Sequence, residues 1–215
     1  MTGQPPCARR AGSSSRSETV AAGEAEHWRV FIAVALPQAV QDELRKPLED
    51  LQAMSTWVRA NAADRIHLTL HFLGNVDAAR KDALVETIHP VVAAYRGFAL
   101  TVEGVGAFPD RKRPKVLWAG IKGSGLAELI RLQPEIGSAL LRVGVEVEPR
   151  FTPHLTLGRV RSPLRREGSR AFDDWYRRWQ SATFGEFMVD SVQLMRSQLG
   201  TGPPRYTTLA TFPLQ

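Results

Sequence analysis

The tetrapeptide His-Leu-Thr-Leu occurs twice in this chain, at 67–70 within "RIHLTLHFLG" and again at 154–157 within "FTPHLTLGRV", 87 residues later. Both copies lie in runs with the two-residue alternation of a β-strand. Successive strand side chains point to opposite faces, so Leu68 and Leu70 belong to a buried face while His67 and Thr69 stand together on the other. Leu155 and Leu157 separate from His154 and Thr156 in the same way. A lone His-x-Thr is ordinarily structural. Two copies, one in each half of the chain, constrain the fold: if an approximate two-fold relates the halves, their polar faces meet across a groove and surround one substrate group.

The remaining pattern supports two comparable halves. Residues 1–27, rich in Ser, Gly, Ala and charge and without periodicity, read as a disordered extension, and 28–215 as one bilobed domain. "WRVFIAVALP" is a strand, and Pro37 opens a helix to about Met54 that Pro47 should kink or split. After the first motif strand, Asp77 caps a helix to about Tyr95, and "FALTVEGV" and "KVLWAGI" are strands. Residues 126–142 form a helix with Gly144 just past its end. A short strand "VEVEP", the second motif strand, a helix over 169–180 and two closing strands, "EFMVDSVQLMRS" and "YTTLATFPL", complete the chain. Each half is a sheet with helices on one face, which makes the fold class α+β.

Composition narrows the function. The 215 residues are 43% hydrophobic, enough for a sizeable core, but no run approaches the roughly 18 apolar residues of a membrane span. The N-terminal stretch has no apolar signal region, so the expected address is the cytoplasm, with no membrane partner. Cys7 is the single cysteine, which removes intrachain disulfides and Cys-rich zinc sites. The net charge is +6, and three arginines balance three glutamates within residues 1–27, so the excess belongs to the domain. Basic clusters at 111–115, at Arg161, Arg165, Arg166 and Arg170, and at Arg177 and Arg178 suit solvated loops or a polyanionic partner.

Two histidines around one group can serve as paired base and acid near neutral pH, since an imidazole titrates at about 6.5. Threonine hydroxyls add hydrogen bonds to developing charge. No metal or cofactor is needed, and a phosphodiester suits the set. His71 shares the expected strand face of His67, but four strand residues separate them by roughly 13 Å, too far for a shared metal, so it reads as a rim residue. His27 and His89 carry no signal, and Trp118, Trp175, Tyr176 and Trp179 read as packing. The chain has no P-loop, G-x-S-x-G or H-E-x-x-H motif.

The paired motifs, with "RVFIAVALP" before the first, "FLG" after it, "GVGAFPDRKRPKVLWAGI" between, "PHLTLGR" at the second and "RYTTL" near the end, resemble the two-histidine (2H) phosphoesterases. Within these the chain is similar to the RNA 2',3'-cyclic phosphodiesterase branch, historically called 2'-5' RNA ligase. The resemblance implies a bilobed, duplicated α+β fold of two antiparallel sheets flanked by helices, with a central cleft. It implies a monomer that acts on RNA ending in a 2',3'-cyclic phosphate and opens that end to a 2'-phosphate without metal or nucleotide cofactor. Carried over, His154 is the general base, His67 the general acid, and Thr69 and Thr156 bind the phosphate. Arg159 matches a phosphate-contacting arginine. Strict alternation puts it on the wrong face, so the strand must bulge near Gly158 or have ended. Phe31 holds the position of an aromatic offered to the base, or is core. Ligation in the reverse direction and a noncatalytic RNA-binding module are the alternatives.

Overall fold

The structure is a computed structural model that describes residues 1–2 and 26–215. The expected N-terminal extension, with Cys7, lies largely outside the described residues. Nine strands and four helices follow in order: β1 (His27–Ala35), α1 (Gln38–Ala53), β2 (Val58–Ala60), β3 (His67–Asp77), α2 (Lys81–Val92), β4 (Phe98–Phe108), β5 (Val116–Lys122), α3 (Leu126–Arg142), β6 (His154–Val160), α4 (Arg166–Trp179), β7 (Thr183–Val189), β8 (Ser191–Gln198) and β9 (Arg205–Pro213). The strands run antiparallel in the order β7-β4-β5-β6-β3-β1-β8-β9, with β2 also paired to β6. One half of the sheet is β6-β5-β4-β7 and the other is β3-β1-β8-β9. They join through one residue pair, Leu68 with Leu155, inside the two tetrapeptides.

The helices tie the halves together by crossing over. Helix α1 follows β1 yet packs beside β7, β2 and α4; helix α3 follows β5 yet packs against α2 and β3 as well as β4. Each is amphipathic at helical spacing: Val40, Leu44, Leu48 and Leu51 are buried on α1, and Leu129, Leu132, Ile136 and Leu140 on α3. Helix α1 continues through Pro47 instead of splitting there. The lost hydrogen bond is outweighed by the leucines packed on either side, and the Pro47 carbonyl accepts from the indole N–H of Trp175 at 3.0 Å. Trp175 is buried, and Asp50 accepts from the indole of Trp179, so this aromatic face is packing as expected.

Three sequence expectations change. "VEVEP" is not a strand: after the left-handed Gly144 (φ 73°), Val145 is buried and Val147 packs half-buried against the core, while Glu146, Glu148 and Pro149 stay exposed on the way to β6. The segment expected as a single strand, 186–197, divides at Asp190 into β7 and β8, which pair with β4 and β1 in opposite halves of the sheet. The third concerns His71, which is buried at 3% exposure and does not stand at the rim. In the ladder between β1 and β3, Ala33 pairs with Thr69 but Ile32 pairs with His71, so Leu70 is an extra residue. That bulge reverses the alternation, turning His71 into the core and Phe72 out to the cleft.

The buried imidazole is fully partnered. His71 Nε2 donates to the Gln133 carbonyl at 2.7 Å, and Gln133 Nε2 lies 3.3 Å from both His71 Nδ1 and the carbonyl of bulge residue Leu70. This arrangement holds only for neutral His71, and burial accordingly pushes its pKa below the ordinary value, against the weaker opposing pull of the Gln133 carbonyl. Between the folded and unfolded pKa values the unfolded chain binds the extra proton, so stability contributed above about pH 6.5 is lost as pH falls. Denaturant unfolding is therefore expected to show lower stability at pH 5 than at pH 7.5, with a smaller difference in His71→Gln. An unchanged difference would assign the pH dependence to other groups.

Candidate active site

The antiparallel pairing of Leu68 with Leu155, carried one residue either way, sets His67 across from Thr156 and Thr69 across from His154. Leu68, Leu70, Leu155 and Leu157 are buried, and the two histidines and two threonines are half-buried on the opposite face. The four polar residues of the two motifs therefore share one face. Because the ladder between β3 and β6 is limited to that one pair, the strands part on either side of it, and β2 takes the edge of β6 from Gly158 to Val160.

Each imidazole is held by the same local device. His67 Nδ1 lies 2.9 Å from the Arg65 carbonyl and His154 Nδ1 lies 2.7 Å from the Thr152 carbonyl, both two residues upstream. A carbonyl only accepts, so Nδ1 carries the proton in both rings and Nε2 is the nitrogen left to exchange one. Burial holds the pKa of His67 below the ordinary imidazole value, partly offset by the Arg65 carbonyl. Its burial thus favours neutral His67.

The rings are backed differently. Phe31 stacks on His67 with centroids 4.8 Å apart, and Tyr206 meets both rings edge-on at 5.3 and 5.2 Å. Phe31 is 3% exposed, and its ring supports His67 from within the cleft wall. β1 is an interior strand of its half-sheet, and the rings of His67 and Tyr206 pack against the Phe31 ring at the cleft wall. The aromatics left open are Phe72 and Tyr206. On the other side, Phe108 meets His154 edge-on at 5.0 Å and tilts against Trp118. Trp118 is half-buried on the face of Thr156, its ladder partner, while Leu117 and Ala119 take the core face. It lies over Gly106, where a Cβ would come within 2.2 Å of the indole, which is why that position has no side chain.

A cleft of about 860 Å³ opens along these strands, lined by His67, Thr69 and Thr156 and by Phe31, Phe72 and Tyr206 among others. His154 is not among the lining side chains, although Thr156, two residues on, is. Arg159 does line the cleft. On β6 the ladder to β5 pairs Trp118 with Thr156 and Leu117 with Gly158, so Leu157 is the extra residue, and the slip carries Arg159 to the site face. The bulge needed for Arg159 therefore lies one residue before Gly158. It is also the counterpart of Leu70: the fourth residue of each tetrapeptide is a bulge.

The basic clusters singled out in the sequence do not line this cleft. Arg111 packs over the Tyr176 ring and faces Asp173, Arg177 pairs with Asp174, and Arg178 with Asp50. The cleft's own cations are Arg29, Arg59, Arg65 and Arg159. Among the described residues, no three His, Cys, Asp or Glu side chains gather as metal ligands would, and no helix is long and apolar enough to cross a membrane. Nitrogen-15 NMR of the imidazoles at neutral pH is expected to find Nδ1 protonated and Nε2 bare in the neutral form of both His67 and His154; a protonated Nε2 with a bare Nδ1 would contradict the carbonyl anchoring.

The sequence and the fold have known counterparts. The family model of the 2'-5' RNA ligase superfamily matches residues 40–201. An RNA 2',3'-cyclic phosphodiesterase of Archaeoglobus fulgidus is 33% identical over 184 residues, 86% of this chain and 99% of that one. A relative of the same name from Thermotoga maritima is 30% identical, over 84% of this chain and 92% of that one. Among solved structures, a Thermus thermophilus protein superposes with a TM-score of 0.71 at 26% identity, covering 86% of this chain and 97% of the other. Escherichia coli LigT complexed with 3'-AMP superposes with a TM-score of 0.67 at 27% identity, covering 88% and 99%. With its duplicated histidine strands, its antiparallel sheet and these matches over most of its length, the chain belongs to the 2'-5' RNA ligase superfamily of two-histidine phosphoesterases.

Proposed function

We propose that the protein hydrolyses the 2',3'-cyclic phosphate at an RNA end to a 2'-phosphate, with His154 as general base and His67 as general acid and without a metal ion. The observation that carries this reading is the mirrored pair: two imidazoles, each anchored through Nδ1 to the carbonyl two residues back and each followed two residues on by a threonine of the same face. Relatives named RNA 2',3'-cyclic phosphodiesterase support the substrate.

In the proposed step His154 Nε2 removes a proton from water as its oxygen bonds to phosphorus, the bond from phosphorus to O3' breaks, and His67 Nε2 protonates the departing O3'. The ring opens to a 2'-phosphate and a 3'-hydroxyl. Thr69 and Thr156 donate to the non-bridging oxygens, and Arg159 offsets their charge. As the acid, His67 must be protonated, yet burial lowers its pKa. The phosphodiester anion beside it supplies the opposing effect, favouring imidazolium once substrate is bound.

His67→Ala and His154→Ala are each expected to lower kcat by roughly 10² or more, and the double variant to be little worse than the poorer single one, because one concerted transfer needs both partners. Near-normal turnover by either variant would make that histidine structural. The rate should be bell-shaped in pH, with His154→Ala losing the acid limb and His67→Ala the alkaline limb. The alkaline limb should fall at lower pH in kcat/KM, which reports the free enzyme, than in kcat, which reports the complex. Coincident limbs would mean that bound substrate does not raise the His67 pKa. Excess EDTA is expected to leave turnover intact; loss in chelator with recovery on adding a divalent ion would overturn the metal-free step.

A further inference from the structure

We propose that Arg59 binds a second phosphate, the internucleotide diester one nucleotide inside the reacting end, so that the cleft is built for an oligonucleotide and not for a mononucleotide. The inference rests on the cyclic-phosphate reading above and deepens it by naming the substrate class.

The first observation is a like-charge pair. Arg59 on β2 is the direct ladder partner of Arg159 on β6. Two cations opposite each other on neighbouring strands destabilise the pairing unless an anion lies beside them. Both line the cleft, as do Arg29 and Arg65, and among the described residues no aspartate or glutamate lines it. None of these four takes part in an ion pair among the described residues, in contrast to Arg111, Arg177 and Arg178 on the other surface. The cleft is therefore a cationic surface that no carboxylate of the described residues neutralises.

The second observation is that Arg59 sits on a fixed backbone. Strand β2 has three residues and is pinned at both ends: the Trp57 carbonyl accepts from Arg161 N at 2.7 Å, and Asn61 N donates to the Leu157 carbonyl at 2.7 Å. The Asn61 side chain adds a bond of 2.7 Å to the Thr156 carbonyl. Gly158 lets this short strand approach, since a Cβ there would meet the Arg59 carbonyl at 3.0 Å and Ala60 Cα at 3.2 Å. The segment that carries Arg59 is thus bonded to the main chain of the strand that carries Thr156, and the guanidinium has a rigid base beside the reacting centre.

The third observation is distance and room. Arg159 is three residues along β6 from Thr156, roughly 10 Å of strand at most, so the pair with Arg59 lies within reach of a phosphate next to one held at the threonine. A cleft of about 860 Å³ is near the upper end of the range for single small ligands. Its walls divide the work: Phe72, Tyr206 and Leu199 offer exposed apolar surface beside β3, and the arginine pair offers charge beside β6. A guanidinium takes a phosphodiester through two parallel N–H bonds, a geometry that lysine does not reproduce.

The test is equilibrium binding of a 2'-phosphorylated dinucleotide and of the matching 2'-phosphorylated mononucleoside, at several salt concentrations, with wild type, Arg59→Ala and Arg59→Lys. Wild type is expected to bind the dinucleotide more tightly. Arg59→Ala is expected to weaken the dinucleotide about tenfold, to leave the mononucleoside within about twofold, and to reduce the slope of log affinity against log salt by about 0.7, the value for one contact to a single strand. Arg59→Lys is expected to recover the salt slope but only part of the affinity. Equal weakening of both ligands, or of neither, would overturn the proposal. Binding does not require turnover, so the outcome stands apart from the hydrolysis reading: failure of wild type to open any cyclic phosphate would strike that reading, and loss of the dinucleotide contrast would strike this one.

Discussion

The pairing of Leu68 with Leu155 is the contact on which the site depends. It joins two half-sheets by one residue pair, buries both leucines, and by antiparallel register sets each histidine across from the other motif's threonine. A longer ladder between β3 and β6 would close the surface into an ordinary sheet. With one pair the strands part, and the space between them is the cleft. The crossed helices α1 and α3 keep that narrow junction from hinging, because each packs into both parts of the molecule.

Duplication preserved the motif and its bulge but not the residues around them. Five residues after His67 the bulged strand presents Phe72; five residues after His154 it presents Arg159. Between them, the position that is His71 in the first half is Gly158 in the second: one is a buried polar knot with Gln133, the other a gap through which β2 approaches. His67 is enclosed by Phe31 and Tyr206 and its pKa is lowered by that burial, whereas His154 meets Phe108 edge-on. The two imidazoles are equivalent in anchoring and inequivalent in surroundings, which is what two different proton-transfer roles require.

The shared polar face was legible in the sequence because strand alternation is a two-residue rule, and a tetrapeptide is long enough to obey it. His67, Thr69, His154 and Thr156 share a face for that reason, and α3 runs from Leu126 to Arg142 as its spacing and Gly144 indicate. Alternation fails where a ladder slips, and a slip depends on the neighbouring strand. Leu70 and Leu157 look like any strand leucine, so His71 was placed on the wrong face; Arg159 revealed its own bulge only because its expected role conflicted with its parity. Strand β2 is three residues held from outside, too short for periodicity to register. Apolar sequence alone does not say which ring lies on top of Phe31, so it does not decide between core and substrate contact. Arg29, Arg59 and Arg65 carry no signal in the sequence because they are dispersed along it, and only folding gathers them beside Arg159.

The central claim is that the two motifs act as a single acid and base device on a cyclic phosphate. Phosphorus NMR of the wild-type protein with RNA ending in a 2',3'-cyclic phosphate tests it most directly. The account requires the cyclic resonance to be replaced by that of a 2'-phosphate, because protonation from one fixed side frees O3' alone. Persistence of the cyclic resonance, or its conversion to a 3'-phosphate or a mixture of the two, would contradict it.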